Sequence, residues 1–514
     1  MVVLGVGLLS RYTVAACVAG GILVAGLGSA ALADSTTLRV GHPSPAVSGA
    51  YPFARDEGGG LRYAIYDALT TFSPTGEFEP ALAVSWKNET PTTWVFQLRE
   101  NVVFSNGEPF NADTVVATLT ELYNSEVLHA RKADMGTIIG YEARSPYVVA
   151  ITTTEPDPLL PNRLTQLPII EPKAWATLGQ EQYSRTPVGT GPYTLESWGP
   201  NNSNPILVVS QSSWRDVEHI TRVEVTVMPD VGSRVTGLMS GELDMAVSLP
   251  SDDIATLKAM GKTVMVVPNP SILSIALRTV RTDDSPLKDA RVRRALNYAV
   301  DKQSIVDLIL GGTTRVAHQP STPDLIGYNP EAEPFDYNPE RAQQLLAEAG
   351  YADGFPLKFS VYGGLLPGDS LIFQKVAQDL AAIGVDVELR QISFPDYVRR
   401  LFNADWEDID GFSIGWMNMN LWDPQKAFEQ FSCAYTAPFY CDEESMPLIE
   451  AAASEMDPVK RAALLQEITL RLRDQGAALW LLEFSGVVGF QPGYSTDRFR
   501  IDGSVYENIT YIEQ

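Results

Sequence analysis

The chain has 514 residues, with 38 Lys and Arg against 63 Asp and Glu, which gives a formal net charge of −25 at pH 7. This length predicts two or three packed units, and a composition of 45% hydrophobic and 20% charged residues excludes intrinsic disorder as the main state. The acidic excess argues against nucleic acid or an anionic membrane surface as a partner.

The first 33 residues have the features of a signal peptide. They contain no acidic residue and one basic residue, Arg11, which precedes an apolar stretch and a small-x-small pattern that ends at Ala33. We therefore expect cleavage after Ala33 and export to the periplasm. A membrane anchor and a start site downstream of Met1 are alternatives, and lipidation at Cys17 would instead give a protein associated with the cell surface.

The first part of the mature chain alternates between strand and helix patterns. A strand is expected at 37–40 and is followed by His42, and a second strand is expected at 94–99 with its aromatic residues on one face. Asn111 is a favourable N-cap for a helix at 112–123. Such alternation is typical of an α/β protein.

The middle of the chain continues this pattern. Val223, Val225 and Val227 alternate along a predicted strand at 222–228, which a helix and a second strand follow. This order predicts a compact βαβ unit. Two helices are expected next, at 289–300 and 302–310.

The clearest predicted helix covers 339–349. Asn338 stands at the N-cap, Pro339 at the first helical position and Gly350 just beyond the end, where their backbone preferences place them. Further elements are expected as strands at 357–361, 385–391 and 409–414 and as a helix at 370–383.

The cysteines and histidines offer little for metal binding. The four histidines are scattered, and no Cys-x-x-Cys or His-x-x-x-His pair occurs. Seven residues separate Cys433 from Cys441 in a protein expected to be exported. A disulfide between these two cysteines is therefore predicted, with two free thiols as the alternative.

Several segments together resemble one family. Residues 93–116, which read TWVFQLRENVVFSNGEPFNADTVV, combine an aromatic strand, Leu-Arg, Pro-Phe and a capped helix. This segment resembles the signature of the bacterial extracellular solute-binding proteins of the dipeptide, oligopeptide and nickel type, which are the capture components of ABC importers. Similar segments follow the family order at 79–86, 187–193, 286–302 and 337–351.

The resemblance implies an α/β periplasmic binding protein fold with two lobes, of type II and in its large variant. The first lobe would cover 34–276, with an inserted subdomain at about 66–182, and the second lobe would cover 277–482. Residues 483–514 would return to the first lobe, so that the chain crosses the hinge twice. A monomer is expected to bind ligand between the lobes without a catalytic step or a cofactor, and to deliver it to the permease subunits in the membrane.

The resemblance also places candidate ligand contacts in the loop after Trp416. Where peptide-binding relatives carry an aspartate for the free amino group of the peptide, this chain offers Asn418, Asn420 and Trp422, and its first acid is Asp423. An ammonium buried without a carboxylate costs several kcal/mol. The expected ligand is therefore an oligosaccharide, an amide, or a capped or modified peptide. Core packing of Trp416 and turn formation by the asparagines are the alternatives.

Tyr362 and His42 are further candidates for ligand contact because each follows a predicted strand. A plain turn explains Tyr362 equally well, and a lone histidine is not a nickel site. No metal is expected.

Two different classes of function remain open, a secreted hydrolase and a haem- or metal-binding protein on the same scaffold. Ser413 lies in a Gly-x-Ser-x-Gly pattern, but a hydrolase elbow needs this serine on a sharp turn between a strand and a helix. Here it lies inside a predicted strand. A hydrolase could also use a glycosidase-like pair of carboxylates, because acidic residues are abundant.

Overall fold

The computed structural model describes residues 36–512 apart from residues 47, 55–59, 200–203, 364–367, 407 and 500–504. The predicted signal peptide and Cys17 lie outside this part of the chain. The strands are β1 (Thr36–His42), β2 (Thr70–Phe72), β3 (Phe78–Pro80), β4 (Ala83–Thr90), β5 (Thr93–Leu98), β6 (Ile138–Ser145), β7 (Val148–Thr153), β8 (Tyr193–Trp198), β9 (Pro205–Val209), β10 (Ile220–Val227), β11 (Met245–Ala246), β12 (Thr263–Leu277), β13 (Phe355–Tyr362), β14 (Val385–Ile392), β15 (Gly411–Trp416), β16 (Ala478–Phe490), β17 (Tyr494–Ser495) and β18 (Thr510–Tyr511).

The helices alternate with these strands over most of the chain, as the sequence predicts. They are α1 (Leu61–Ile65), α2 (Ala112–Asn124), α3 (Leu160–Leu164), α4 (Pro172–Arg185), α5 (Val231–Ser240), α6 (Ile254–Ala259), α7 (Ala290–Ala299), α8 (Lys302–Ser304), α9 (Pro339–Glu348), α10 (Asp369–Ala381), α11 (Phe394–Asn403), α12 (Gln425–Gln430), α13 (Met446–Ser454) and α14 (Pro458–Asp474).

Local capping explains where two of the predicted helices begin. The Asn111 side chain accepts a hydrogen bond from the Thr114 backbone N–H, which caps α2. Asn338 caps α9 in the same way through the Arg341 N–H at 2.9 Å, and Gly350 adopts a φ of +92° just beyond the end of α9. Such caps satisfy N–H groups that have no partner inside the helix.

The helix predicted at 302–310 is present over Lys302–Ile309, but it is not α-helical throughout. Only Lys302–Ser304 is α-helical, and a π-helical turn at Ile305–Ile309 follows it. The N–H of Leu310 donates to the carbonyl of Ile305, five residues earlier, which is the spacing of a π-helix.

The largest sheet has ten strands in the order β14-β13-β15-β12-β16-β11-β1-β10-β9-β8, and a separate antiparallel sheet has the order β4-β5-β7-β6. The long strands β12 and β16 pair antiparallel near the centre of the large sheet. Their pairing shifts register between Asn269 and Ile272.

The hydrophobic core divides along these two long strands. Val267, Val488 and Phe490 pack into a core with residues from β1, β10 and the four-stranded sheet. Leu273 and Leu481, further along the same two strands, belong to another core that residues 273–389 and 479–484 build. The chain therefore passes between the cores twice, once in each long strand.

The strands β13, β14 and β15 run parallel to one another, so their carboxyl ends lie at one edge of the sheet. This edge carries Tyr362, Ile392 and Trp416. The strand expected at 409–414 covers Gly411–Trp416 instead, because its pairing with β12 continues to Trp416 opposite Ile272. Loops that follow such ends are common places for ligand contacts.

A disulfide joins Cys433 to Cys441, with an S–S distance of 2.07 Å. We expect peptide mapping without reductant to recover both cysteines in one linked fragment, because an exported protein meets an oxidising environment in which disulfides persist. Mapping after reduction and alkylation is the control and should release the two peptides separately. Two alkylatable thiols in the native, unreduced protein would contradict the prediction.

Candidate functional site

The loop Met417–Trp422, called the 417–422 loop below, is anchored from the inside by two of the predicted site residues. The Trp416 side chain is fully buried, stacks on Phe431 at 3.8 Å between ring centroids, and donates from its indole N–H to the Ser274 hydroxyl at 2.9 Å. Asn418 is also buried, and its Nδ2 donates to the carbonyls of Pro270 and Pro320, each at 3.1 Å. Both side chains hold the base of the loop in this arrangement.

The other two predicted residues of this loop lie on its outer side. Asn420 is exposed, and its backbone carbonyl accepts from the Nε2 of Gln166 at 3.2 Å. Trp422 has a φ of +50°, an uncommon value for a bulky side chain. Its ring covers Gly76, where an added Cβ would come within 1.9 Å of the ring, and its indole N–H has no partner among the described residues.

Asp423, the first acid after the loop, has hydrogen-bond partners on both of its carboxylate oxygens. Both of its carboxylate oxygens accept from the guanidinium of Arg461, and the two side chains are 3% and 5% exposed respectively. One oxygen also accepts the Gln425 backbone N–H at 2.9 Å. This carboxylate is therefore not available to a ligand at the loop.

The surface that faces the loop comes from a distant part of the sequence. The Nδ2 of Asn162 donates to the Leu421 carbonyl at 2.8 Å. Gln166 donates to the Asn420 carbonyl, and its own Oε1 accepts from Arg62 and Arg131 at 3.1 and 3.2 Å. Two side-chain amides on or next to α3 thus hold the backbone of the 417–422 loop.

A cavity of about 380 Å³ lies beside this contact and has Phe72 and Thr165 among its walls. Phe72 also contacts Trp422, with ring centroids 6.0 Å apart. The remaining walls come from residues between 62 and 81 and from residues 168, 214–216, 498, 505, 507 and 508. Sequence reasoning missed this cavity.

The charges in the cavity wall are largely paired. Arg215 bridges Asp67, at 3.0 Å, and Glu507. Asp67 also accepts from the Thr190 hydroxyl and the Trp214 indole N–H, each at 2.8 Å. Burial raises the pKa of Glu507, and the nearby charge of Arg215 opposes that rise. This wall therefore offers aromatic faces and a nearly neutral polar surface.

The structure places Tyr362 and His42 in other surroundings. Tyr362, the last residue of β13, is 9% exposed and packs on Tyr397 with ring centroids 4.3 Å apart, and burial raises the pKa of its hydroxyl. His42, the last residue of β1, forms a hydrogen bond between its Nδ1 and the Ser44 backbone. Burial lowers the pKa of His42, with a smaller contribution from Arg234. Ligand contact by either residue stays a prediction.

Ser413 lies inside β15, opposite Ile275, and is fully buried. Its hydroxyl accepts the Tyr362 backbone N–H at 3.2 Å. The serine therefore does not stand on the turn that a nucleophile elbow requires. Among the described residues, no group of three or more His, Cys, Asp or Glu side chains is placed to hold a metal ion, and none of the helices there is long and apolar enough to cross a membrane.

The sequence of residues 77–438 matches the profile of a known family, the bacterial extracellular solute-binding proteins, family 5 Middle. The match covers well over half of the chain. The chain belongs to this family. The resemblance noted in the sequence is therefore confirmed.

Individual members of family 5 match over most of the chain at low identity. The nickel-binding periplasmic protein of Escherichia coli (strain K12) is 26% identical over 460 residues, which are 83% of this chain and 85% of that protein. The dipeptide-binding protein of the same strain is 25% identical over 450 residues, 81% of this chain and 83% of that protein. The structure of HbpA2 from Haemophilus parasuis covers 93% of this chain and 100% of its own, at 23% identity and a TM-score of 0.80.

These matches confirm the predicted α/β periplasmic binding protein fold. The chain is a solute-binding protein of an ABC importer, and family membership makes it a transport component rather than an enzyme. It acts outside the cytoplasmic membrane, in the periplasm or at the cell exterior.

Proposed function

We propose that the chain captures a small hydrophilic, peptide-like ligand between two lobes and delivers it to the permease subunits of an ABC importer. The observation that carries this proposal is the contact between the 417–422 loop and the segment around Gln166, beside the cavity. The loop follows β15, which packs into a third core with Trp480 of β16, and the segment that flanks Gln166 packs into the core that contains Val267, Val488 and Phe490. All residues that line the cavity belong to the proposed first lobe, and the 417–422 loop lies next to it through the contact between Trp422 and Phe72. A ligand that extends from the cavity to the loop would touch both lobes, as lobe closure requires.

The division of the core supports two lobes, and because Leu273 already packs into the second core, it favours a crossing in β12 a few residues before the boundary expected at 276/277. The first lobe takes residues 34–276, including the subdomain at 66–182, together with 483–514, and the second takes 277–482. The β12 and β16 strands contribute side chains to the cores on both sides. The irregular pairing between Asn269 and Ile272 lies between the two sets, and we propose it as the hinge.

The ligand class follows from the size and charge of the site. A cavity of about 380 Å³ is near the lower end of the range for ligand pockets, which favours a capped or modified short peptide or a small oligosaccharide over haem. The 417–422 loop supplies no free carboxylate, because Asp423 is held by Arg461. The ligand therefore needs no free α-amino group. Asn420 and Trp422 supply an amide and an aromatic face.

We also propose that the protein works as a periplasmic monomer after cleavage behind Ala33. The acid-free segment before this site and its small residues support this step. Attachment to the cell surface through Cys17 is the alternative, and intact-mass measurement of the exported protein separates the two.

Ligand preference is tested by thermal shifts with dialanine, N-acetyl-dialanine and maltotriose. We expect the acetylated peptide or the sugar to stabilise the unmutated protein and dialanine to have little effect. Asn420→Asp should add a response to dialanine, because the new carboxylate can pair with an ammonium group.

The matched control is Asn88→Asp, which makes the same change on an exposed position of β4 and should leave all responses unchanged. Strong, amine-dependent stabilisation of the unmutated protein by dialanine would contradict the proposed ligand class.

A further inference from the structure

Gln166 has an unusual set of hydrogen bonds for a side-chain amide. It is 8% exposed and lies just after α3. Its Oε1 accepts hydrogen bonds from the Nη1 of Arg62 at 3.1 Å and from the Nη1 of Arg131 at 3.2 Å. Its Nε2 donates to the backbone carbonyl of Asn420 at 3.2 Å. One amide therefore joins two buried guanidinium groups to the 417–422 loop.

The chemistry of these partners determines the orientation of the amide. A guanidinium group only donates hydrogen bonds, and a backbone carbonyl only accepts them. The side chain between them must accept at one end and donate at the other. Glutamine meets this requirement, whereas glutamate, which has the same shape, presents an acceptor to the Asn420 carbonyl.

Two other side-chain contacts join the residues around the 417–422 loop to the first lobe, and both come from positions more exposed than Gln166. Asn162 donates to the Leu421 carbonyl at 2.8 Å from a half-buried position. Lys426 lies 3.5 Å from Asp134, but the lysine side chain is 53% exposed, and exposed pairs contribute little. The buried amide of Gln166 thus provides a well-shielded hydrogen bond to the loop backbone.

We propose that Gln166 is a positioning residue that fastens the 417–422 loop to the first lobe when the lobes are closed, and that it thereby sets how long a ligand is retained. This inference rests on the proposed capture of ligand between lobes. The residue acts through the Asn420 carbonyl and need not touch the ligand. Its role is specific to an amide, because the isosteric carboxylate replaces a hydrogen bond by repulsion between two oxygen atoms.

The test uses Gln166→Glu in the full mature protein labelled with 5-fluorotryptophan. The ¹⁹F resonance of Trp422, assigned by its loss in Trp422→Phe, reports the position of the loop because this ring lies against Gly76 and Phe72. We expect the resonance to shift and its broadening by a soluble paramagnetic agent to increase in Gln166→Glu. Thermal stability should be retained, since the new carboxylate pairs with both arginines. Gln182→Glu, the same change at an exposed position of α4, should leave the resonance in place.

A second arm measures binding of N-acetyl-dialanine by calorimetry and stopped flow. We expect about tenfold weaker binding in Gln166→Glu, mainly through faster dissociation. If the unmutated protein does not bind this probe, the proposed ligand class is wrong, and the Trp422 resonance still decides the role of Gln166. An unchanged Trp422 resonance in Gln166→Glu would overturn the inference.

Discussion

Replacing Asp423 by asparagine is expected to lower the free energy of unfolding by about 3–5 kcal/mol. Asparagine keeps the shape of the side chain and an oxygen for the Gln425 N–H, but it leaves the guanidinium of Arg461 buried without an anion. An uncompensated charge in the interior costs far more than an exposed one. Urea unfolding followed by circular dichroism measures the difference.

An exposed pair supplies the matched control. Arg390 and Asp408 form an ion pair with side chains 35% and 55% exposed, so Asp408→Asn should cost about 0–1 kcal/mol. The double variant Asp423→Leu with Arg461→Met should recover much of the loss, because an apolar pair of similar size can replace a buried ion pair. Equal losses for Asp423→Asn and Asp408→Asn would contradict this account.

The outcome also bears on the ligand. In the sequence, Asp423 is the first acid after Trp416. In the structure it holds α12 and α14 together next to the loop. A large loss of stability in Asp423→Asn would assign this acid to the support of the site, and any loss of ligand binding would then follow from a displaced loop.

The elements that the sequence predicts well are those that local chemistry determines. Asn111 and Asn338 mark helix starts through hydrogen bonds within three residues, and the family signature at 93–116 covers β5 and the start of α2. The π-helical turn at Ile305–Ile309 is missed because the apolar spacing of an α-helix differs little from that of a π-helix over so few residues.

The candidate site was harder to predict because strand length decides which way its side chains point. Phe412, Ile414 and Trp416 alternate along β15 and pack into one core. A strand that ends at residue 414 leaves Trp416 in the loop, whereas two more residues of pairing turn its ring inward.

The cavity wall could not be predicted from the sequence for another reason. Arg215 bridges Asp67 and Glu507, the second of which lies 292 residues away in the sequence, and no local pattern connects them.

Replacing the buried Lys302 is expected to give a second large change in the free energy of unfolding, in this case an increase. Its side chain is 2% exposed, and its ammonium has no hydrogen-bond partner among the described residues. The ammonium lies 5.6 Å from the centre of the Phe335 ring, and the Arg473 guanidinium lies 4.2 Å from the same ring. Burial lowers the pKa of Lys302 to about 7, the charge of Arg473 lowers it further, and Asp336 opposes the change.

The same surroundings act on His318. Burial, followed by the charges of Lys302 and Arg473, lowers the pKa of this histidine to about 4, while Asp336 opposes the change. His318 therefore stays neutral where Lys302 titrates.

Lys302 has a pKa of about 7 in the folded chain and an ordinary value of 10.5. Between these two pH values it is neutral in the folded chain and protonated in the unfolded chain. The unfolded state binds more protons in this window, so the free energy of unfolding rises with pH.

We therefore expect Lys302→Met to raise the free energy of unfolding at pH 7 by on the order of 4 kcal/mol and to flatten its rise between pH 7 and 9.5. Methionine fills a similar volume and removes the charge that the folded state must bury. Measurement stops at pH 9.5 because buried tyrosines such as Tyr440, whose pKa is raised to about 12, lower stability at higher pH. Lys258→Met on the exposed side of α6 is the control and should follow the unmutated curve. Parallel pH curves for Lys302→Met and the unmutated protein would show that Lys302 keeps its proton in the folded state, with a partner that stabilises its charge.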